Sequence, residues 1–324
     1  MHEDVRYPDL MVDDAFKLVF GQESTKDVMI EFLNQVIEDK RIVDVEFLDK
    51  EMHPIYRDQK MSIYDLFCKT DDGSRIIVEL QSRKQDSYAE RVLYYSMHQV
   101  LKQVESGQET YDFCQIYVIS ILDFTLKQNE GLTEVKTVFR LMEEKYHRCL
   151  SNRLTYIFLE LPKFKKREDQ LDGNVLEGMY FCLKNMHLLQ ERPKALTHNV
   201  FDKIFNTGES IMLSDELRTI ILEKMNTERD LRNQMAYAIK TGLEEGRTKG
   251  LEEGRAKGLE EGRAKGLEEG RAKGLEEGRA EGRAEGRAEG RAEIIKAMVE
   301  SGFSVDVIAK ALSLTVDEID NILV

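Results

Sequence analysis

The sequence predicts an α/β protein: a mixed β-sheet flanked by helices over residues 1 to 200, then a helical extension (201 to 241), a glycine-rich charged repeat (242 to 293) and a small helical hairpin (294 to 324). Three observations predict it. Runs rich in Ile, Val, Phe and Tyr alternate with helical patterns through the first part of the chain. An eight-residue repeat fills the third segment, and the last segment holds short capped apolar patterns. With 324 residues, 41% of them hydrophobic, the chain carries enough apolar material for a full core.

Taken in order, Asp13 to Phe20 reads as a short helix stopped at Gly21. Ser24 and Asp27 have capping-box spacing for a helix from Val28 to Ile37, with Met29, Phe32, Leu33 and Val36 on one face. Ile42 to Leu48 alternates as a strand around Val43, Val45 and Phe47. Ser62 to Lys69 and Arg75 to Gln81 are two further strands joined by Thr-Asp-Asp-Gly-Ser. Ser87 and Glu90 offer a second capping box, opening a helix toward Gly107. Gln115 to Phe124, Lys136 to Leu141 and Leu154 to Leu161 complete the strands, and residues 171 to 241 read as mainly helical.

The repeat places glycine at every fourth position from Gly242 to Gly290, thirteen in all. Each costs about 1 kcal/mol relative to Ala inside a helix, more than Glu–Lys pairs four residues apart return, at about 0.2–0.5 kcal/mol each. A glycine row of this period lets two helices approach closely along a right-handed stripe. The repeat therefore reads either as a helical stalk stabilised by self-association or as a solvated tether. Glu293 to Gly302, a helix capped by Ser304 and another capped by Thr315 follow. Asp317, Glu318 and Asp320 on the last helix oppose phosphate, so a pairing hairpin is expected rather than a DNA reader.

Composition excludes several classes. The net charge of -14 argues against bulk coating of nucleic acid, so any such contact must be local. Four scattered cysteines (68, 114, 149, 182) give neither a disulfide framework nor a zinc site. No apolar run is long enough to span a membrane, and the N-terminus lacks a signal-peptide pattern, so a cytoplasmic location is expected. His53, His98, His147 and His198 are isolated, with no zinc-binding spacing. Walker and dinucleotide-binding glycine loops are absent.

Chemistry is concentrated in one hairpin. Gly at the last position of the Asp71-Asp72-Gly73 loop predicts a three-residue turn, which pairs Thr70 with Ser74 and sets Asp65 opposite Glu79 and Ile63 opposite Gln81. Tyr64, Leu66, Cys68, Ile76, Val78 and Leu80 then form the core face. Like charges directly across a sheet destabilise it. A divalent cation held by Asp65, Glu79 and a backbone carbonyl, that of Leu80, would relieve the repulsion and activate water or polarise a phosphate. A solvated sheet face or an Arg-paired carboxylate would relieve it equally.

The segment YDLFCKTDDGSRIIVELQSRKQDSYAERVLYY resembles the PD-(D/E)XK nuclease superfamily. Together with DDAFKLVFG, YVISILDF, the GRAEG repeats and the terminal hairpin, it is similar to the Rpn family of recombination-promoting nucleases, also described as transposases. The resemblance covers essentially the whole chain. It implies a restriction-endonuclease-like fold, DNA as partner, cleavage of phosphodiester bonds and Mg²⁺ (or Mn²⁺) bound by Asp65 and Glu79. It also implies a role in recombination, transposition or defence against foreign DNA. The third motif position, usually Lys, is Gln81. An amide is neither a cation nor a proton acceptor, so Gln81 is expected to position a water or a phosphate oxygen. Lys17 and Lys84 are candidates for the missing positive charge, and Arg91 for a phosphate contact beside Tyr94 and Tyr95. Lys163, Lys165, Lys166 and Arg167 form the densest basic run and a candidate phosphate patch, or else a solvated loop. Two rival readings remain: an RNase H-like site from Asp65, Asp123 and Glu143, and a non-catalytic interaction protein with the repeats as spacer. If catalytic, the protein is expected to form a homo-oligomer through the repeat and C-terminal helices.

Overall fold

The computed structural model describes residues 5–52, 62–104 and 109–323. Two short helices open the chain, α1 (Asp13–Phe20) and α2 (Lys26–Val36), followed by β1 (Val45–Phe47). A two-stranded ribbon, β2 (Glu51–Met52) and β3 (Ser62–Ile63), precedes the hairpin of β4 (Leu66–Thr70) and β5 (Arg75–Gln81). Then come α3 (Tyr88–Leu101), β6 (Ile116–Leu122), β7 (Lys136–Met142), β8 (Cys149–Glu160), α4 (Val175–Asn185) and α5 (Asn199–Leu213). The six-stranded sheet has the order β1-β4-β5-β6-β8-β7. β5, β6 and β8 run parallel at its centre, while β1, β4 and β7 are antiparallel additions. A parallel centre must be covered on both faces, and every residue of β6 is buried.

On one face Leu66, Cys68, Ile76, Val78, Tyr117 and Ile119 pack against α1, α2, α4 and α5. On the other, Phe67, Ile77, Val118, Tyr156 and Phe158 pack against Tyr88, Val92 and Tyr95 of α3. Apolar residues beyond position 200, including Phe201, Ile204, Ile211 and Ile221, belong to the first of these cores. The first compact unit accordingly runs to Arg232, and Asn233–Val324 forms a second.

The hairpin keeps its expected register, with Leu66 opposite Val78 and Cys68 opposite Ile76. Gly73 takes a positive φ of 84°, which an L side chain rarely adopts, and its amide closes the turn on the Thr70 carbonyl at 2.9 Å. One side-chain assignment differs. Tyr64 packs with Phe67 and Tyr95 on the α3 face and not with Leu66 and Cys68, because the strand breaks at Asp65 and the Tyr64 amide turns to the Lys50 carbonyl. The ribbon β2–β3 takes up the residues expected to continue β4. Neither expected capping box forms at α2 or α3: no side chain caps either helix, and a 3₁₀ turn over Glu23–Thr25 leads into α2 instead. Val43 lies outside β1 and is exposed. His53 and Gly107 lie outside the described residues.

In the second unit the helix α6 (Asp215–Glu300) continues through the repeat, followed by α7 (Val305–Leu312) and α8 (Val316–Leu323). Ile295, Ile308, Ala309 and Ile319 make a small core. The Thr315 amide and hydroxyl both donate to Glu318, and the Glu318 amide returns to the Thr315 hydroxyl, a reciprocal cap at the start of α8. No described helix is long and apolar enough to cross a membrane.

Candidate active site

The site lies at the C-terminal end of β5, just outside the start of β4, where α1 and α3 converge. Because β4 begins only at Leu66, one residue after Asp65, the Leu80 amide lacks a strand partner there. It donates instead to Asp65 Oδ2 at 2.7 Å, which fixes the carboxylate beside Glu79. Odd residues of β5 bond to β6, so the amide and carbonyl of Leu80 both face Asp65. Glu79 is 3% exposed, Ser120 is its neighbour across the parallel ladder, and its Oε1 is buried with no hydrogen-bond partner.

Helix α1 supplies the counter-charge. Lys17 Nζ sits 3.8 Å from Asp65 Oδ1 and bonds to Asp13, one helical turn back. Asp13 Oδ1 is likewise buried and unpartnered. From α3, the Arg91 guanidinium donates to Gln81 and Gln85, stands 4.0 Å from Glu79 Oε2, and lies over the Tyr88 ring at 4.8 Å. Burial pushes the Asp65 carboxyl up to about 6, helped by the Asp13 charge and opposed by the Leu80 amide and Lys17. Glu79 is held well above the usual carboxylate range, first by burial and then by Asp65, with Arg91 pulling the other way.

The structure thus brings together Asp65, Glu79, Leu80, Gln81, Lys17 and Arg91. Lys84 stands apart, exposed on the loop after β5. Asp14 turns to Lys224 and away from the acids. The KFKKR run is mostly committed internally: Lys163 to Glu160, Lys166 to Glu177 and Asp172, Arg167 to Asp169. The RNase H-like set does not assemble, since Glu143 caps the exposed turn after β7, at the end of the sheet opposite Gln81. Sequence reasoning missed Asp13. Its spacing of four from Lys17 on an amphipathic helix was the available signal.

The carboxylates suit a divalent cation. Among the described residues no group of three His, Cys, Asp or Glu side chains forms a ready cage. Mg²⁺, however, is commonly held by one or two carboxylates with the rest of its shell water and substrate phosphate. Buried carboxylate oxygens without donors, at Glu79 and Asp13, are what such an ion would satisfy.

The PD-(D/E)XK nuclease family transposase model matches residues 10–238. No significant match was found among curated proteins or among solved structures. The matched span contains the whole mixed sheet, its flanking helices and both facing acids. The chain belongs to the PD-(D/E)XK nuclease family transposases, a nuclease family whose members typically use divalent metal ions and whose substrate is DNA.

Proposed function

We propose that the protein is a Mg²⁺-dependent DNA endonuclease whose site is Asp65, Glu79 and the Leu80 carbonyl, with Lys17, Gln81 and Arg91 around it. The observation that carries this is a buried Glu79 with a donorless oxygen, held beside the half-buried Asp65 where the β4–β5 hairpin opens. Mg²⁺ or Mn²⁺ held there would supply Lewis-acid polarisation of the phosphate and lower the pKa of attacking water. Lys17 reaches the acids from α1, so its ammonium takes the electrostatic place of the lysine that Gln81 replaces on the strand. Gln81 is oriented by Arg91 through its carbonyl oxygen, which leaves its amide group free to donate to a phosphate or water. Arg91 holds a second positive charge beside Glu79. We assign the protein to the reducing cytoplasm, with which buried free thiols at Cys68 and Cys182 accord, and to recombination, transposition or defence against foreign DNA.

Incubation of supercoiled plasmid with Mg²⁺ or Mn²⁺ tests the reading. Wild type should nick, Asp65→Ala should lose roughly 10³-fold, and Lys17→Ala should lose roughly 10²-fold. Equal nicking by all three, or none by any, would leave the second reading, a non-catalytic interaction protein. The observation favouring that alternative is the guanidinium of Arg91 beside Glu79 with Gln81 in the lysine position.

We further propose that copies associate through the repeat. A Cβ added at any of the repeat glycines meets open space. Leu243, Leu251, Leu259, Leu267 and Leu275 recur every eighth residue and are exposed. Pairing would cover both and offset the helix cost of the glycines. Light scattering should give a multiple of the chain mass for the full protein and a monomer for a chain ending at Thr241; equal subunit numbers would reject the idea.

A further inference from the structure

The loop that follows Gln81 carries Arg83, and its guanidinium is occupied. Glu228, on the first part of α6, takes Arg83 Nη2 at 2.6 Å and Nε at 3.3 Å, and accepts from the Ser82 hydroxyl at 3.2 Å. A guanidinium fork gripped through two nitrogens by an anion, with a hydroxyl donating to the same anion, is how proteins hold a phosphate. Glu228 does not act alone. Lys224, Glu228 and Arg232 lie four residues apart on one helix face. They meet Asp14 of α1, Ser82 and Arg83 after β5, and Asp123 after β6. Those three places frame the site: Asp14 adjoins Asp13, Ser82 adjoins Gln81, and the Asp123 amide donates to the Gln81 carbonyl at 3.0 Å.

The apolar anchoring of α6 ends earlier. Leu217, Ile221, Leu222 and Met225 pack on the core, and past Met225 the helix meets the site rim through the polar partners of Glu228 and Arg232. The side chains of Arg83 and Glu228 are 42% and 25% exposed. Ion pairs at that exposure stabilise weakly, so a polyanion with several phosphates can displace the carboxylate.

We propose that Arg83 is a DNA-phosphate contact of this site and that Glu228 is its internal phosphate mimic, which DNA must displace to bind. This rests on the nuclease reading and names which residue meets the substrate backbone. The exchange moves one anion for another and changes no bond.

The test is DNA affinity of the full chain, read by anisotropy of a labelled duplex in EDTA so that no strand is cut. Glu228→Gln, which keeps the size and the Ser82 contact but loses the charge, should tighten binding about fivefold. Arg83→Ala should weaken it by a similar factor, and the double variant should bind like Arg83→Ala, with the gain abolished. Asp230→Asn, an exposed acid on the same helix, controls for net charge and should change little. An equal gain from Asp230→Asn, or a gain from Glu228→Gln that survives in Arg83→Ala, would overturn the proposal while leaving DNA binding intact. No binding by any variant, wild type included, would overturn it together with the nuclease reading.

Discussion

Glu79→Gln is expected to abolish cleavage and, in the same molecule, to raise the melting temperature of the metal-free protein. The glutamate is 3% exposed, stands across from Asp65 and has an oxygen with no donor. Whether it folds as an anion or takes up a proton to do so, the folded state at neutral pH carries a cost that the unfolded chain does not. An amide of the same shape removes it. We expect about 1–3 kcal/mol of added stability, or several degrees in Tm, against about a 10³-fold loss of nicking.

The pH dependence follows with a definite sign. Both carboxyls are raised in the folded state, so it binds more protons than the unfolded chain and is favoured at low pH. That stability is fully present below the ordinary carboxyl values of 3.8 and 4.5, and for Asp65 it is lost as pH rises through about 6. Wild type in EDTA should therefore melt progressively lower from pH 4 to above pH 6. The advantage of Glu79→Gln should be absent at the acid end and grow with pH. Added Mg²⁺ should stabilise wild type above pH 6 and leave the variant little changed. Calorimetry in EDTA and in Mg²⁺ reads all of this; a variant that melts below wild type at pH 7 would show that the glutamate is there to hold the sheet together.

The pairing of these acids was legible because it needs only a local rule. A three-residue loop ending in Gly73 fixes the register, and the register sets Asp65 against Glu79. Which face Tyr64 takes was not legible, since the chain breaks at Asp65 and nothing in an alternating pattern marks a break. The two failed capping boxes have a similar cause. Ser24 and Ser87 have the right neighbours, but Ser24 is taken into the 3₁₀ turn before α2, and Ser87, although it is the N-cap of α3, has a ψ of 25° in place of the extended backbone that a capping side chain needs. Side-chain partners stayed hidden for a different reason. KFKKR looks like a phosphate patch because a run of bases does not say which way each side chain turns; the acids that neutralise it, Glu160, Asp172 and Glu177, are 3 to 11 residues away and are brought round by the end of β8, the following turns and the start of α4. Arg83 was passed over beside Lys84 in the same way, its partner lying 145 residues on.

A second buried glutamate separates structural acids from functional ones. Glu160, at the end of β8, is fully buried, yet both its oxygens have donors: the Leu126 amide at 2.6 Å, Asn129 Nδ2 at 2.8 Å and Lys163 Nζ at 2.8 Å. Lys163 also donates to the Asn129 carbonyl, and Asn129 to Thr137, so one carboxylate ties the 126–129 turn and β7 to the central sheet. Removing one partner of such a pair leaves a charge or several donors buried without compensation. Glu160→Ala should cost about 3–5 kcal/mol in urea unfolding, and Lys163→Ala nearly as much. Glu160→Leu with Lys163→Met should cost less than the sum of the two, because no ion is then left behind, although the Leu126 amide and Asn129 stay unsatisfied. The folded fraction of each variant should still nick DNA. Two buried glutamates in one sheet thus predict substitutions of opposite sign, stabilising where one oxygen lacks a donor and destabilising where both have them. Were both to destabilise, the unpartnered oxygen of Glu79 would no longer mark a place kept for a cation.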